Sequence, residues 1–223
     1  MQLIVDTADI AQIKRINQII KIDGVTTNPS IICKSKSEVK EVLQAIIEIL
    51  SEQQKLFVQV VARDYDSMLE EARFINSLRP KNIYVKIPAN KVGIKLIRQL
   101  SQEGIKTLAT AIYSSEQGFL AARNGANYLA PYVNRMDNFG DGVSNVIDLQ
   151  TMLNNYGMNK DCQLIAASFK NLSQVHRLLT AGVSGMTLPV EIIDTMIEHP
   201  ATEKALDKFS QDWQDKYHRS TLI

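Results

Sequence analysis

One apolar segment of this sequence contains a lysine, in the stretch IYVKIPAN at residues 83–90. Ile83, Val85 and Ile87 are typical of a buried β-strand, and Lys86 lies among them. Burial disfavours an ammonium group, so it lowers the pKa of a lysine and favours the neutral amine. A neutral amine attacks carbonyl carbons, and the Schiff base that forms withdraws electrons from the adjacent C–C bond. The alternative is that Lys86 extends its charged end to solvent at the edge of the strand.

Polar residues also lie at or just beyond the ends of the other apolar segments. They are Asp6, Thr26, Asn28, Gln59, Thr110, Tyr132, Arg135, Ser168, Lys170 and Thr187. Most have a structural explanation as well: Asp6 and Ser168 could cap the helices that follow, and Asn28 and Thr110 could be turn residues. Gln59, like Lys86, lies inside its segment and is a poor choice for a buried strand. If these ends meet at one face of a sheet, they form a polar site.

The spacing of the apolar residues indicates the elements that would bring these side chains together. Short apolar runs cover residues 2–6, 22–27, 56–61, 82–87, 106–110, 127–133, 163–168 and 184–188. Segments of helical period separate them, and Gly24, Gly104, Gly125 and Gly182 are expected to end helices. Eight strands that alternate with helices predict an α/β fold, a (β/α)8 TIM barrel, whose active site lies at the carboxyl ends of the strands. The alternative is a doubly wound open sheet, which usually has a glycine-rich loop after its first strand, whereas DTADI has no glycine.

The chain continues beyond the eighth unit. We assign residues 1–200 to the barrel and residues 201–223 to an extra C-terminal helix of the same domain. Leu206, Phe209, Trp213 and Tyr217 follow one another at spacings of three and four, so they share one face of that helix. A stripe of three aromatic residues and a leucine must be buried, either on its own barrel or on a neighbouring subunit.

Composition narrows the classes of partner. The 25 Lys and Arg residues nearly balance 24 Asp and Glu, so neither nucleic acid nor a membrane surface is expected as a partner. No segment resembles a membrane span or a signal peptide. The two cysteines and three histidines show no metal-ligand spacing, so we expect no metal and no cofactor. Two cysteines far apart in the sequence are typical of a reduced protein, so we expect a cytoplasmic location.

Several longer motifs together resemble one family. They are DTAD at 6–9, GVTTNPSII at 24–32, FVQV at 57–60, VKIP at 85–88, APYVNRMD at 130–137, AASFKN at 166–171 and TLP at 187–189. Over essentially its whole length the chain resembles the small transaldolases, and most closely the fructose-6-phosphate aldolases among them. The resemblance implies a (β/α)8 barrel and a class I aldolase or transaldolase that acts on sugar phosphates.

The resemblance also implies roles for individual residues. Lys86 would form the Schiff base, Asp6 and Asn28 would hold the hydroxyl groups of the donor, and Thr26 is placed with them in substrate binding. Asp6 would also assist proton transfer at the cleavage step, and Thr110 would position a catalytic water. For the phosphate of the acceptor the implied residues are Arg135, Ser168 and Lys170, the last at a position where larger relatives have arginine.

Three positions separate the two activities within the family. Transaldolases have glutamate, phenylalanine and often serine where this chain has Gln59, Tyr132 and Ala130. A phenol can act as an acid or base near an iminium, and phenylalanine cannot. These residues favour cleavage of fructose 6-phosphate over transfer of a dihydroxyacetone unit. A barrel that binds sugar phosphates without catalysis is a more distant alternative.

The resemblance also implies an assembly. Relatives exchange the C-terminal helix in five-membered rings, so a homo-oligomer, either a pentamer or a decamer, is expected.

Overall fold

Eight parallel strands form a single sheet in the computed structural model, which describes residues 1–223. The strands are β1 (Gln2–Asp6), β2 (Gly24–Thr26), β3 (Lys55–Gln59), β4 (Ile83–Pro88), β5 (Thr107–Ile112), β6 (Tyr128–Pro131), β7 (Gln163–Leu164) and β8 (Gly185–Leu188). Consecutive strands are neighbours from β1 to β7, and β8 pairs with β1. A parallel bridge between Ala166, two residues beyond β7, and Met186 of β8 closes the ring. The predicted (β/α)8 barrel is therefore confirmed, and the open-sheet alternative is wrong.

Eleven helices accompany the strands. They are α1 (Ile10–Ile19), α2 (Pro29–Ile32), α3 (Val39–Ile49), α4 (Tyr65–Ser77), α5 (Lys91–Gln102), α6 (Ser115–Arg123), α7 (Val133–Met136), α8 (Gly142–Asn155), α9 (Leu172–Thr180), α10 (Val190–Ile197) and α11 (Pro200–Tyr217). Eight of them return the chain from one strand to the next or end the eighth unit. The single turns α2 and α7 lie in the loops after β2 and β6, and α11 follows the completed barrel. No helix is long and apolar enough to cross a membrane.

Two hydrophobic clusters hold the barrel together. The larger one fills the space between the sheet and the surrounding helices. The smaller one lies inside the barrel and contains Ile4, Phe57, Tyr84, Leu108, Tyr128, Ala130, Ile165 and Ala167. Phe57 stacks on Tyr84 with ring centroids 4.9 Å apart, and Tyr128 meets both rings edge-on. The interior is thus packed solid below the carboxyl ends of the strands, and a site is possible only above this layer.

The glycines expected to end helices behave in two ways. Gly104, Gly125 and Gly182 have left-handed backbone angles beyond the ends of α5, α6 and α9, as predicted. Gly24 does not end a helix, because it lies within β2. There a Cβ atom would come within 2.2 Å of the carbonyl oxygen of Lys55 on β3, so the residue is required for close strand packing.

The C-terminal helix does not bury its aromatic stripe on the barrel. None of the residues of α11 is buried, and Leu206, Phe209 and Tyr217 are each at least half exposed. Trp213 is partly covered by Tyr217, whose ring centroid is 4.5 Å away. Folding of this stripe back onto its own barrel is therefore not observed, and its burial on a neighbouring subunit stays a prediction.

Candidate active site

Four predicted site residues stand in one inward-facing row. Side chains alternate across a strand, so residues two apart point to the same face. Asp6, Gln59, Lys86 and Thr110 each lie two positions after a member of the inner hydrophobic cluster, namely Ile4, Phe57, Tyr84 and Leu108. They therefore form the next layer of the barrel interior. The alternation of β1, β3, β4 and β5 places a carboxylate, an amide, an amine and a hydroxyl together above an apolar floor.

Lys86 is buried in this layer, with only 5% of its surface exposed. Its Nζ donates a hydrogen bond to the backbone carbonyl of Thr27 at 2.6 Å. Burial lowers the pKa of Lys86 below its ordinary value, and the nearby charge of Asp6 partly opposes that shift. The alternative that Lys86 extends to solvent is wrong, because its amine ends inside the barrel.

Asp6 is held by a network across three strands. The hydroxyl of Thr26 donates to Asp6 Oδ1 at 2.7 Å, and the hydroxyls of Thr26 and Thr187 are 2.6 Å apart. The next helix is capped by Asp9, whose Oδ1 accepts from the backbone N–H of Gln12. Asp6 is thus not the cap of α1, and its carboxylate faces the interior.

Tyr132 and Gln59 complete the polar layer. Thr110 donates a hydrogen bond to the hydroxyl of Tyr132 at 3.2 Å. Gln59 pairs with Lys86 in the register of β3 and β4, and its buried Oε1 has no hydrogen-bond partner within the protein. A buried amide oxygen without a partner is rare, because it loses its hydration without replacement. Gln59 therefore offers a free acceptor to a molecule in the site.

The side chain of Asn28 has a structural role at the same place. Its Oδ1 caps α2 by accepting from the backbone N–H of Ile31 at 3.0 Å. The residue also lines the cavity above the polar layer. Because the cap occupies the carbonyl oxygen, the amide N–H groups are the part that remains to bind a ligand.

Arg135 lies on α7, directly above Tyr132. Its guanidinium carbon is 4.7 Å from the centroid of the Tyr132 ring, and its Nη1 donates to the hydroxyl of Tyr113 at 3.4 Å. This contact with the Tyr113 phenol raises the pKa of Arg135. Arg135 makes no ion pair, whereas Arg15, Arg73 and Arg177 each bind a carboxylate. Its charge is thus available to an anion.

Ser168 and Lys170, two of the residues predicted to bind phosphate, lie away from the cavity. Ser168 has a left-handed backbone angle, φ 63°, and its carbonyl accepts from the N–H of Asn134 at 2.9 Å. The cap of α9 is Asn171, so Ser168 does not cap that helix. Lys170 is exposed, and its backbone N–H donates to Gln174. Neither residue lines the cavity.

A cavity of about 940 Å³ opens above the polar layer. Its lining residues are Asp6, Thr7, Ala8, Asp9, Ile10, Gln12, Asn28, Pro29, Ser30, Ile31, Lys34, Ser35, Gln59, Ala111, Tyr113, Tyr132, Arg135, Pro189, Val190 and Glu191. Among the predicted residues, Thr26, Lys86, Thr110 and Ala130 are buried and do not line it. Tyr113 and Lys34 line the cavity but were not predicted from the sequence. The motifs give no signal for Lys34, and strict alternation along β5 would turn Tyr113 away.

The chain is similar in sequence to one protein family and in fold to several solved structures. The sequence model described as transaldolase/fructose-6-phosphate aldolase matches residues 3–221. Among solved structures, a designed cube-shaped protein cage is 13% identical, with a TM-score of 0.62 over 97% of this chain and 78% of that chain. The native structure of KDPGal is 16% identical, with a TM-score of 0.58 over 84% and 85% of the two chains.

A mutant flavocytochrome b2 with benzoylformate is also similar in fold. It is 12% identical to this protein, with a TM-score of 0.58 over 77% of this chain. The matched region spans 50% of the flavocytochrome chain, so that protein is about twice as long as the part they share. At these identities the three structures establish the barrel fold and nothing finer.

Proposed function

This chain belongs to the transaldolase/fructose-6-phosphate aldolase family, and within that family we propose that it is a class I aldolase. The proposed reaction is reversible cleavage of fructose 6-phosphate to dihydroxyacetone and glyceraldehyde 3-phosphate. The observation that carries the proposal is the buried amine of Lys86, whose pKa is lowered by burial despite the opposing charge of Asp6. An amine of this kind is the nucleophile that a Schiff-base mechanism requires.

The first step joins the substrate to the enzyme. The neutral Nζ of Lys86 attacks C2 of the ketose, and its N–C bond forms as the carbonyl electrons move to oxygen. Loss of that oxygen as water leaves a protonated imine. Asp6, the carboxylate whose charge acts on Lys86, supplies and removes protons during this step. The hydrogen bond from the Thr26 hydroxyl holds its Oδ1 in place.

The second step breaks the C3–C4 bond. The C4 hydroxyl loses its proton to the carboxylate of Asp6 while a C4–oxygen double bond forms. The electrons of the C3–C4 bond move into the iminium and produce an enamine that stays bound to Lys86. Glyceraldehyde 3-phosphate leaves, and Arg135 above Tyr132 binds its phosphate until then.

The third step releases dihydroxyacetone. The enamine carbon takes a proton, and water then attacks the iminium and frees Lys86. The hydroxyl of Tyr132 is the acid that we assign to this protonation, either directly or through water. Thr110 orients that hydroxyl by its hydrogen bond. The unpartnered Oε1 of Gln59 provides an acceptor for the water that relays the proton.

Transaldolase activity is the second candidate, and the two activities differ only in the fate of the enamine. A transaldolase keeps the enamine until a second aldehyde arrives, whereas an aldolase protonates it. The phenol of Tyr132 beside Thr110 favours protonation, since a phenylalanine at this position would have no proton to give. Measuring fructose 6-phosphate cleavage alone, and then with erythrose 4-phosphate present, separates the two activities.

A binding protein without catalysis is the remaining alternative. Such a protein needs a phosphate site but has no use for a buried amine. Borohydride reduction in the presence of dihydroxyacetone tests the difference, because it fixes a Schiff base as a stable secondary amine. We expect a mass gain on the peptide that contains Lys86, and none in the Lys86→Arg variant, whose guanidinium stays protonated. An unmodified wild-type peptide would reject the aldolase mechanism.

The assembly is part of the proposal. We propose a homo-oligomer, a pentamer or decamer, in which α11 packs on an adjacent subunit. The support is the exposed stripe of Leu206, Phe209 and Tyr217, which one barrel leaves uncovered.

We also propose a cytoplasmic location, with which the unpaired thiols of Cys33 and Cys162 are compatible.

A further inference from the structure

An irregularity in β5 changes which residues face the cavity. On its β4 side, β5 pairs without interruption from Thr107 to Thr110. On its β6 side, three steps along β5, from Ala109 to Ile112, match two steps along β6. The segment from Ala109 to Ile112 therefore contains one residue more than β6 opposite it. Ala111 lies in this segment and has a left-handed φ of 53°. These are the signs of a β-bulge, which inserts one residue into a strand and re-aims the side chains that follow.

The bulge reverses the two faces of the strand. Leu108 faces the inside of the barrel, so strict alternation would put Ile112 inside and Tyr113 outside. Instead, Ile112 is fully buried in the outer cluster, and Tyr113 lines the cavity. The presence of Tyr113 in the site is therefore a consequence of the bulge at Ala111.

Once in the cavity, Tyr113 contacts the candidate phosphate-binding residue. Its hydroxyl accepts the hydrogen bond from Arg135 Nη1, and its ring meets the Tyr132 ring edge-on at 5.7 Å. Phe139 also packs edge-on against Tyr113, with ring centroids 6.2 Å apart. Arg135 is thus held over the face of one tyrosine and by the hydroxyl of another.

Both partners of Arg135 are tyrosine side chains and neither is a carboxylate, which matters for anion binding. A carboxylate partner would fix the guanidinium equally well but would compete with an incoming anion. A phenol fixes the direction of one N–H and leaves the positive charge uncompensated. Long arginine side chains lose rotamer freedom on binding, so a partner that orders the side chain beforehand improves affinity.

We propose that Tyr113 is a positioning residue that pre-orients Arg135 for the phosphate of the aldehyde acceptor. The proposal rests on the proposed function for the identity of the acceptor, but its geometry is independent of the reaction. It assigns acceptor selectivity to the residue that directly follows β5, which the bulge turns into the site.

The test removes only the hydroxyl group, in the variant Tyr113→Phe. Tyr156→Phe is the matched control, because Tyr156 is 71% exposed, does not line the cavity and loses the same atom. Aldol addition of dihydroxyacetone is measured with glyceraldehyde 3-phosphate and with glyceraldehyde. We expect Tyr113→Phe to raise KM for the phosphorylated acceptor by about 3- to 10-fold, the effect of one lost hydrogen bond, with kcat within about twofold. The KM for glyceraldehyde should be unchanged in both variants.

A second measurement does not depend on catalysis. Inorganic phosphate is titrated into the wild type and both variants by calorimetry, and Kd should rise by about 3- to 10-fold in Tyr113→Phe alone. Equal KM changes for both acceptors, equal phosphate affinity of wild type and variant, or no phosphate binding by the wild type would each overturn the inference. If the wild type catalysed no aldol reaction, the proposed function would fail separately, and the titration would still decide the role of Tyr113.

Discussion

Replacing Lys86 with methionine should stabilise this protein most at low pH and least at high pH. The amine of Lys86 is removed from water in the folded barrel and hydrated in the unfolded chain, so burial lowers its pKa. Methionine fills similar space and carries no charge. The substitution also removes the donor that Thr27 O accepts at 2.6 Å, which costs about 1–3 kcal/mol at every pH if no water replaces it. The pH dependence therefore isolates the effect of the charge.

The sign follows from the protons bound in each state. Below the lowered folded pKa of Lys86, both the folded and unfolded chains hold the proton, and the cost of burying the charge is fully present. Between that pKa and the ordinary lysine pKa of 10.5, only the unfolded chain holds it, so wild-type stability gains up to about 1.4 kcal/mol per pH unit. Above 10.5 the gain is complete. The Lys86→Met variant lacks this gain, and its advantage over wild type must shrink across the window.

The measurement is the free energy of unfolding by denaturant between about pH 6 and pH 10, at one protein concentration. Titrating groups distant from Lys86 are common to both proteins, so they cancel in the difference. Lys91→Met serves as the control, since Lys91 is an exposed lysine at the start of α5. A stability difference for Lys86→Met that stayed constant across this pH range would refute the claim that burial lowers the pKa of Lys86.

Four further predictions concern reaction type, substrate choice, packing and assembly. Gln59→Glu should raise transfer to erythrose 4-phosphate relative to cleavage of fructose 6-phosphate, and an unchanged ratio would count against Gln59 as the discriminator. Arg135→Ala should raise KM for phosphorylated acceptors by about 10- to 100-fold and spare glyceraldehyde; equal losses would indicate a structural role. Gly93→Ala should destabilise the barrel by about 1–3 kcal/mol in denaturant unfolding, because its Cβ would lie 1.8 Å from the carbonyl oxygen of Pro88, and a neutral result would contradict this packing. Deleting residues 201–223 should reduce the mass measured by light scattering, and an unchanged oligomer would exclude α11 as the contact.

Much of the site could be predicted because strands alternate with period two. That period follows from local backbone geometry, so the sequence alone places Lys86 and Gln59 on the inner face of their strands. The motifs around Lys86 also identify the family, and the family model covers nearly the whole chain. The helix-ending role expected for Gly24 was wrong, because the residue is required by the approach of β3, which local sequence does not encode.

Other features depend on contacts between residues far apart in the chain. Thr26 and Thr187 are 161 positions apart, and their hydrogen bond to each other exists only because the barrel closes beside β1. The inward turn of Tyr113 depends on a register shift between β5 and β6, and no residue pattern within β5 predicts it. Sequence therefore determined which strands carry the reactive groups, since side-chain alternation is local. Tertiary structure decided which groups touch and where a strand breaks its alternation, since both follow from the register between strands.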